Sequence, residues 1–157
     1  MKFIKAEKLK EKPADQSKLG FGKIFTDYML TMRYKNGAWD EPRIEPYGPV
    51  AFDLATTVFH YAQGIFEGLK AFRNEAGEVR VFRPEENFKR MNRSAERMCI
   101  PQIDEKKVLE GMFELLRLEK DWIPTAPGTA LYIRPSIIAT NVALGVHASS
   151  EYLFFII

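Results

Sequence analysis

The stretch between residues 60 and 98 constrains the fold most, because its pattern changes from strand to helix without a long linker. The segments Leu69–Arg73 and Val79–Arg83 have the composition of β-strands and flank the turn-forming residues 74–78. Pro84 follows at once and favours the start of a helix, because the first helical residue needs no N–H donor. The pattern therefore predicts a β-hairpin that leads directly into a helix.

Two amphipathic helices are predicted in the middle of the chain. The first covers residues 84–98, and the second begins after Asp104, a good N-cap residue, and runs to about Trp122. We expect their apolar faces to pack on the core, and we expect Cys99 to be a buried core residue. The residues of these faces are Phe88, Met91, Ala95 and Met98 in the first helix and Val108, Leu109, Met112, Leu115 and Leu116 in the second.

Other stretches of the chain predict strands. The aromatic-rich segment Phe25–Tyr34 leads into Asn36-Gly37, a pair that favours a tight hairpin because both residues tolerate positive φ. The return limb, 38–44, contains Pro42 and predicts an irregular edge strand. Further strands are predicted at 129–139 and at 152–157. Since hairpins dominate, we predict an α+β fold, with a mostly antiparallel β-sheet and two main helices packed on it.

Composition and charge argue against several classes of protein. The chain has 157 residues, 46% hydrophobic and 28% charged, which suits one domain, or one domain and part of another, with a real core. A net charge of +2 gives no support for a nucleic-acid partner, and no apolar run reaches the length of a membrane span. The first residues do not resemble a secretion signal, and the single cysteine excludes internal disulfides. These features favour the cytoplasm.

Motifs for common catalytic machinery are absent. The sequence has no glycine-rich phosphate loop, HExxH, CxxC or GxSxG motif. His60 and His147 lie in unrelated contexts, and we interpret both as structural residues. No metal site is predicted.

Two arginines could bind an anionic ligand. Arg90, Arg93 and Arg97 share a helix face, and for the last two a solvated basic face is the simpler interpretation. Arg90 borders the apolar stripe and could present its guanidinium fork to a phosphate. Arg134 lies in an apolar strand two residues after Tyr132, so both side chains share a face. It either pairs with a glutamate of this chain or captures a substrate carboxylate, and spacing alone leaves both open.

Four segments together resemble a known family. They are FGKIFTDYMLTMRYKNGAW, FHYAQGIFEGLKAFR, VRVFRPEENFKRMNRSAERM and TALYIRPSIIA. They are similar to the N-terminal half of the branched-chain-amino-acid aminotransferases, which use pyridoxal 5'-phosphate (PLP) and share a fold with D-amino-acid aminotransferase and aminodeoxychorismate lyase. The resemblance extends from about Leu19 onward, and FEGLKAFR followed by LYIRP is specific to the branched-chain members.

The resemblance implies the function of the chain and the roles of its two candidate arginines. The family transfers an amino group between L-leucine, L-isoleucine or L-valine and 2-oxoglutarate. The family's counterpart of Arg90 binds the PLP phosphate. The counterparts of Tyr132 and Arg134 line the substrate pocket, where the arginine can receive the side-chain carboxylate of glutamate or 2-oxoglutarate.

It also implies an apolar wall and a dimer. Phe21, Tyr61 and Phe66 match the aromatic residues around the branched side chain of the substrate. Tyr61, Leu144 and Val146 match residues that act across the interface of a homodimer and reach the partner's site. The expected partners are thus amino acids, 2-oxo acids and a second copy of the chain.

The same resemblance implies that the catalytic lysine is missing. In the family, the lysine that binds PLP covalently lies in a C-terminal domain, and none of the thirteen lysines here, Lys70 included, matches it. We expect 1–18 to be loosely ordered, 19–150 to form a small α+β domain, and 151–157 to begin an interdomain strand, with the chain ending before the PLP-lysine domain. The chain alone is then expected to be inactive, because proton transfer at the substrate has no base.

Alternative functions remain open from the sequence. One is another PLP enzyme of the same fold, acting on D-amino acids or aminodeoxychorismate. A non-catalytic module is the other, either a basic module that binds RNA in a salt-sensitive manner through the first helix or a scaffold that dimerises.

Overall fold

The computed structural model describes residues 1–157, which form ten β-strands and three α-helices. The strands are β1 Lys2–Phe3, β2 Tyr28–Lys35, β3 Ala38–Trp39, β4 Arg43–Pro46, β5 Gly64–Phe66, β6 Leu69–Arg73, β7 Val79–Val81, β8 Leu131–Ile133, β9 Pro135–Ala139 and β10 Tyr152–Ile156. The helices are α1 Thr57–Tyr61, α2 Pro84–Arg97 and α3 Glu105–Leu118, with short 3-10 turns at Gln16–Lys18 and Lys120–Trp122. The predicted α+β class with mostly antiparallel sheets is confirmed.

The larger sheet has seven strands in the order β1-β4-β2-β10-β9-β5, with β3 paired to β2. All its pairs are antiparallel except β1 with β4. β10 lies near the centre, between β2 and β9, and Tyr152, Leu153, Phe154 and Ile156 are buried. This position explains why the segment is uniformly apolar, since a strand covered on both faces has no solvent side.

The hairpin predicted at Asn36-Gly37 is confirmed, with φ of 55° and 83° at the two residues. Pro42 divides the return limb into β3 and β4, as expected of a residue that cannot donate to the ladder. The prediction of an edge strand is wrong for β4, because Lys2 and Phe3 of β1 pair along its outer side. The division of the chain at residues 18 and 150 stays a prediction.

The two long helices are confirmed and their caps fit the sequence. Asp104 accepts a hydrogen bond from the N–H of Lys107 at 3.0 Å, and Pro84 occupies the first position of α2. The residues that pack both helices into the core include Phe88, Met91, Ala95, Val108, Met112, Leu115 and Leu116. Burial was wrongly predicted for Met98 and Cys99: α2 ends at Arg97, and the left-handed φ of 54° at Cys99 turns the chain away, so both side chains are exposed.

A smaller sheet, in the order β7-β6-β8, joins the larger one through a bent two-strand ribbon. β5 pairs with β9 in the larger sheet, and their continuations β6 and β8 pair in the smaller sheet. The strand predicted at 129–139 is therefore wrong as a single strand, because it changes sheet at Arg134, just before Pro135. The hydrogen bond from Glu67 N–H to the Pro135 carbonyl, at 2.9 Å, closes the bend.

Candidate active site

The bend of this ribbon brings together residues that are far apart in the sequence. Phe66 and Glu67 lie at one side of the bend, and Tyr132 and Arg134 lie at the other. The backbone of Arg134 is fixed from a third direction, because it exchanges hydrogen bonds of 2.8 and 3.2 Å with Ile157. Side chains at the bend therefore start from a rigid scaffold, as a binding site requires.

Arg134 is held between aromatic rings and has no carboxylate partner. Its guanidinium carbon lies 4.3 Å from the ring centroid of Phe66 and 5.2 Å from that of Tyr132, a cation–π arrangement. Its Nη2 donates to the phenol oxygen of Tyr132 at 3.0 Å, which confirms that the two side chains share a face. The internal salt bridge left open by the sequence is not formed, and the buried Nε–H of Arg134 has no acceptor.

A pocket of about 310 Å³ opens beside this arginine. Its walls are mostly apolar and come from the loop around Phe21, the end of α3, β8 and the end of β10. Phe21 packs edge-to-face against Tyr132 with ring centroids 5.0 Å apart, so it joins the Tyr132–Arg134 pair to the pocket. The structure thus brings four predicted site residues into one cluster, which we call the pocket cluster: Phe21, Phe66, Tyr132 and Arg134.

Arg90 reaches the same bend from α2. Its Nε and Nη2 donate to the two carboxylate oxygens of Glu67 at 2.6 and 2.7 Å. Burial raises the pKa of Glu67, but the hydrogen bonds from Arg90 and Asn87 and the charge of Arg90 together hold it below its usual range. Arg90 itself remains largely exposed, with 61% of its side chain accessible.

The sequence predictions missed an ionisable residue of the pocket. Glu119 lies on the wall of the pocket at 2% exposure and accepts a hydrogen bond from the Tyr28 N–H at 2.5 Å. Burial, reinforced by the nearby charge of Asp27, raises the pKa of Glu119 to about 7. A signal was present, because Glu119 continues the apolar stripe of α3 at helical spacing after Met112 and Leu115.

The remaining predicted pocket residues lie elsewhere, on an exposed apolar surface. Tyr61, at the end of α1, donates its hydroxyl to the carbonyl of Leu144, and neither side chain lines the pocket. Leu144 and Val146 are 65% and 87% exposed. The start of the loop that carries them is fixed by backbone hydrogen bonds of Asn141 with Thr57, the first residue of α1, and of Ala143 with Ala55. We call Tyr61, Leu144 and Val146 the surface cluster.

The other candidate residues, His60, His147 and Lys70, lie outside the pocket. His60 and His147 are exposed and each contacts a backbone carbonyl, of Leu54 and Gly145 respectively. Lys70 lines a shallow groove beside Phe72 and Tyr132. No group of three or more acidic, histidine or cysteine side chains is arranged to hold a metal ion, and no helix combines the length and hydropathy needed to cross a membrane.

Sequence comparison finds relatives along the whole chain. It is 54% identical over 160 residues to branched-chain-amino-acid transaminase 1 of Bacillus subtilis (strain 168), covering 99% of this chain and 45% of the relative. It is 51% identical over 158 residues to a probable branched-chain-amino-acid aminotransferase of Staphylococcus aureus (strain N315), covering 100% and 44%. The cytosolic branched-chain-amino-acid aminotransferase of Mus musculus is 43% identical over 150 residues, covering 95% and 39%. No protein-family model matches the chain.

Structural comparison shows the same fold in solved proteins. The branched-chain aminotransferase of Escherichia coli superposes with a TM-score of 0.62 at 23% identity, over 83% of this chain and 38% of that one. The enzyme of Thermobaculum terrenum, in its PLP form, superposes with a TM-score of 0.58 at 19% identity, over 82% and 38%.

The fold is therefore that of the aminotransferases in these structures. By sequence, the chain is a homologue of the branched-chain-amino-acid aminotransferases, as the four resembling segments predicted. It spans less than half the length of these curated relatives.

Proposed function

We propose that the chain supplies one part of the active site of a branched-chain-amino-acid transaminase, which uses PLP to exchange an amino group between L-leucine, L-isoleucine or L-valine and 2-oxoglutarate. The observation that carries this proposal is the pocket cluster, in which Arg134 stacks on Phe66 and bonds Tyr132 at the edge of an apolar pocket. The two substrates of such an enzyme occupy one site in turn, so the site must accept both an apolar and an acidic side chain.

Arg134 suits the acidic substrate. Arg134 has no carboxylate partner within the chain, so its charge is available to a carboxylate that enters the pocket beside it. The Phe66 ring, 4.3 Å from the guanidinium carbon, contacts Arg134 without neutralising its charge. When a branched substrate binds instead, Phe21 offers apolar ring surface on the pocket wall, and Arg134 keeps its contacts with Phe66 and Tyr132.

Arg90 suits the cofactor phosphate. Two of its five N–H groups are used by Glu67, and three remain on an exposed side chain. An exposed guanidinium with a free fork is a good phosphate ligand. When bound, PLP would supply an electron sink that makes the substrate Cα–H acidic.

The proton at that carbon needs a base, which we do not assign to this chain. Among the lysines, Lys70 is the one whose strand pairing places it opposite a member of the pocket cluster, Tyr132. It is exposed on the same face of the smaller sheet as Tyr132 and lines the shallow groove with it, but it does not line the 310 Å³ pocket. We therefore propose that the 157-residue chain alone does not catalyse transamination.

The surface cluster suits a second protein surface. Leu144 and Val146 are exposed apolar residues on a loop fixed in place, a combination typical of interfaces. We propose that they face the partner of a homodimer. A cytoplasmic location is proposed because the mouse relative is a cytosolic enzyme.

A chimera tests the function directly. This chain would replace the matching region of the Bacillus subtilis transaminase, to which it is 54% identical. We expect transamination of L-leucine with 2-oxoglutarate and none of D-alanine. Activity with D-alanine would favour the related enzymes of the same fold, and a folded chimera that holds PLP without acting on L-leucine would contradict the proposal.

Arg134→Gln in the chimera tests the role of the pocket arginine. We expect the KM for 2-oxoglutarate to rise roughly 10- to 100-fold, the effect of losing a charged hydrogen bond, while the KM for leucine changes little. Arg93→Gln, which removes an arginine from the exposed face of α2, is the matched control. Equal losses for both substrates would assign Arg134 a merely structural role.

A further inference from the structure

The ion pair between Glu67 and Arg90 is unusual in its asymmetry. The carboxylate is buried, with 4% of the Glu67 side chain exposed, whereas 61% of the Arg90 side chain is exposed. Surface ion pairs between two exposed partners contribute little and do not fix geometry. Here one partner is anchored in the protein and the other projects from it.

Glu67 is anchored by more than Arg90. Its carboxylate also accepts a hydrogen bond from the Asn87 side chain at 3.0 Å, and the same Asn87 amide donates to the Gly68 carbonyl at 3.2 Å. The Glu67 backbone is bonded to Pro135 at the ribbon bend. The carboxylate therefore has one position, set by the bend and by α2 together.

The geometry of the pair determines which part of the guanidinium is available. Glu67 occupies the side-on fork, formed by Nε and Nη2. The end-on fork, one N–H each from Nη1 and Nη2, remains free and can receive two oxygens of a phosphate. A bidentate carboxylate on one edge also fixes the plane and direction of the other edge.

We propose that Glu67 is a positioning residue for Arg90: it holds the guanidinium so that its end-on fork faces the phosphate of the cofactor. This inference rests on the proposed role of Arg90 as the phosphate ligand. The buried carboxylate of Glu67 lowers the net positive charge near the phosphate, which weakens the attraction. It also removes the entropic cost of ordering the long, exposed Arg90 side chain when the phosphate binds. We propose that the ordering of Arg90 favours phosphate binding more than the loss of positive charge disfavours it.

The first test observes Arg90 without any ligand. In the 157-residue chain labelled with ¹⁵N, we expect the Nε–H of Arg90 to exchange with water much more slowly than that of exposed Arg93, and Glu67→Gln to abolish the difference. Glu86→Gln is the matched control, since Glu86 is an exposed glutamate of α2 that pairs with Lys89 at 2.9 Å. Fast exchange at Arg90 in the unsubstituted chain would overturn the proposal.

The second test titrates the chain with inorganic phosphate and follows the backbone amide signals of α2 and of the ribbon bend, which every variant retains. We expect Arg90→Gln to remove the specific binding and Glu67→Gln to weaken it about three- to tenfold. In the Arg90→Gln background, Glu67→Gln should change nothing more, whereas a general structural defect would act in both backgrounds. If Glu67→Gln does not fold, Asn87→Ala, which releases the other side of the carboxylate, is expected to weaken phosphate binding in the same direction.

The outcomes distinguish the proposed phosphate contact of Arg90 from the proposed positioning role of Glu67. If Arg90→Gln leaves phosphate binding unchanged, the proposed cofactor contact fails, and the role of Glu67 fails with it. If Arg90→Gln weakens binding but Glu67→Gln leaves it unchanged or strengthens it, only the positioning role is overturned, because the charge of Glu67 then outweighs its ordering effect.

Discussion

The pocket cluster and the surface cluster contain all seven residues predicted to bind substrate, and they differ in how far this chain surrounds them. In the pocket cluster, Arg134 has defined contacts with Phe66 and Tyr132, and Tyr132 packs on Phe21. In the surface cluster only the hydroxyl of Tyr61 has a partner within the chain, the Leu144 carbonyl.

The difference teaches that residues predicted to serve one function, substrate binding, can have different structural surroundings: some are held by contacts within this chain, and others are exposed. The pocket cluster is formed by the fold itself, because the ribbon bend places Phe66, Tyr132 and Arg134 side by side and Phe21 packs on Tyr132. The surface cluster has exposed apolar side chains that pack little on the rest of this chain. Substitutions should therefore affect the folding of this chain strongly in the first region and weakly in the second.

The largest effect is expected at Glu119, on the pocket wall. The pKa of its carboxyl is ordinarily 4.5 and is raised to about 7 here. The protonated carboxyl therefore adds to the free energy of unfolding at low pH, and this stabilisation is lost as the pH rises through about 7. Glu119→Gln should stabilise the chain at about pH 8 by roughly 3 kcal/mol, from 1.36 kcal/mol per pKa unit, and far less at about pH 5. Urea unfolding at both pH values measures this difference, and an equal effect at both would contradict the assigned pKa.

An intermediate effect is expected at Gly68, beside the pocket cluster. A Cβ atom at this residue would overlap the phenol of Tyr132, so Gly68→Ala must displace the ring that bonds Arg134. We expect a loss of about 1–3 kcal/mol, the usual cost of overpacking, in the free energy of unfolding.

The matched control is Gly145, which lies between Leu144 and Val146 of the surface cluster. A Cβ atom at Gly145 meets no atom within 4 Å, so Gly145→Ala should change the free energy of unfolding by less than about 0.5 kcal/mol. Equal losses at Gly68 and Gly145 would remove the distinction between the two regions.

The smallest effect on folding is expected at Val146, which is 87% exposed. Val146→Asp should leave the free energy of unfolding of the monomer within about 0.5 kcal/mol, as for other surface substitutions. If the surface cluster forms an interface, the same change should weaken self-association, which sedimentation equilibrium of the chimera can measure. A large loss of monomer stability would show that Val146 packs within its own chain.

The sequence predicted those features that depend on local periodicity. Tyr132 and Arg134 share a face because strand side chains repeat every second residue, and Asn36-Gly37 forms a hairpin because of its tolerance for positive φ. The helix start at Pro84 follows from the same kind of local rule.

Features that depend on distant parts of the chain could not be read in this way. Glu67 and Arg90 are 23 residues apart, and nothing in their spacing predicts that one is buried and the other exposed. The bend at Arg134 requires two sheets, whereas a run of strand-forming residues predicts one continuous strand. Cys99 was misjudged for a local reason: the backbone is left-handed at this residue, with a φ of 54°, and helical periodicity does not reveal that.

Borohydride reduction in the presence of PLP tests the central claim most directly. The claim is that this chain provides the pocket and phosphate contacts but no lysine placed to hold the cofactor. After reduction of the 157-residue protein with PLP, mass spectrometry should find no single preferred pyridoxyl-lysine, only low labelling spread over exposed lysines. Stoichiometric labelling of one lysine, for example Lys70, would show that the chain holds its own cofactor and would contradict the account.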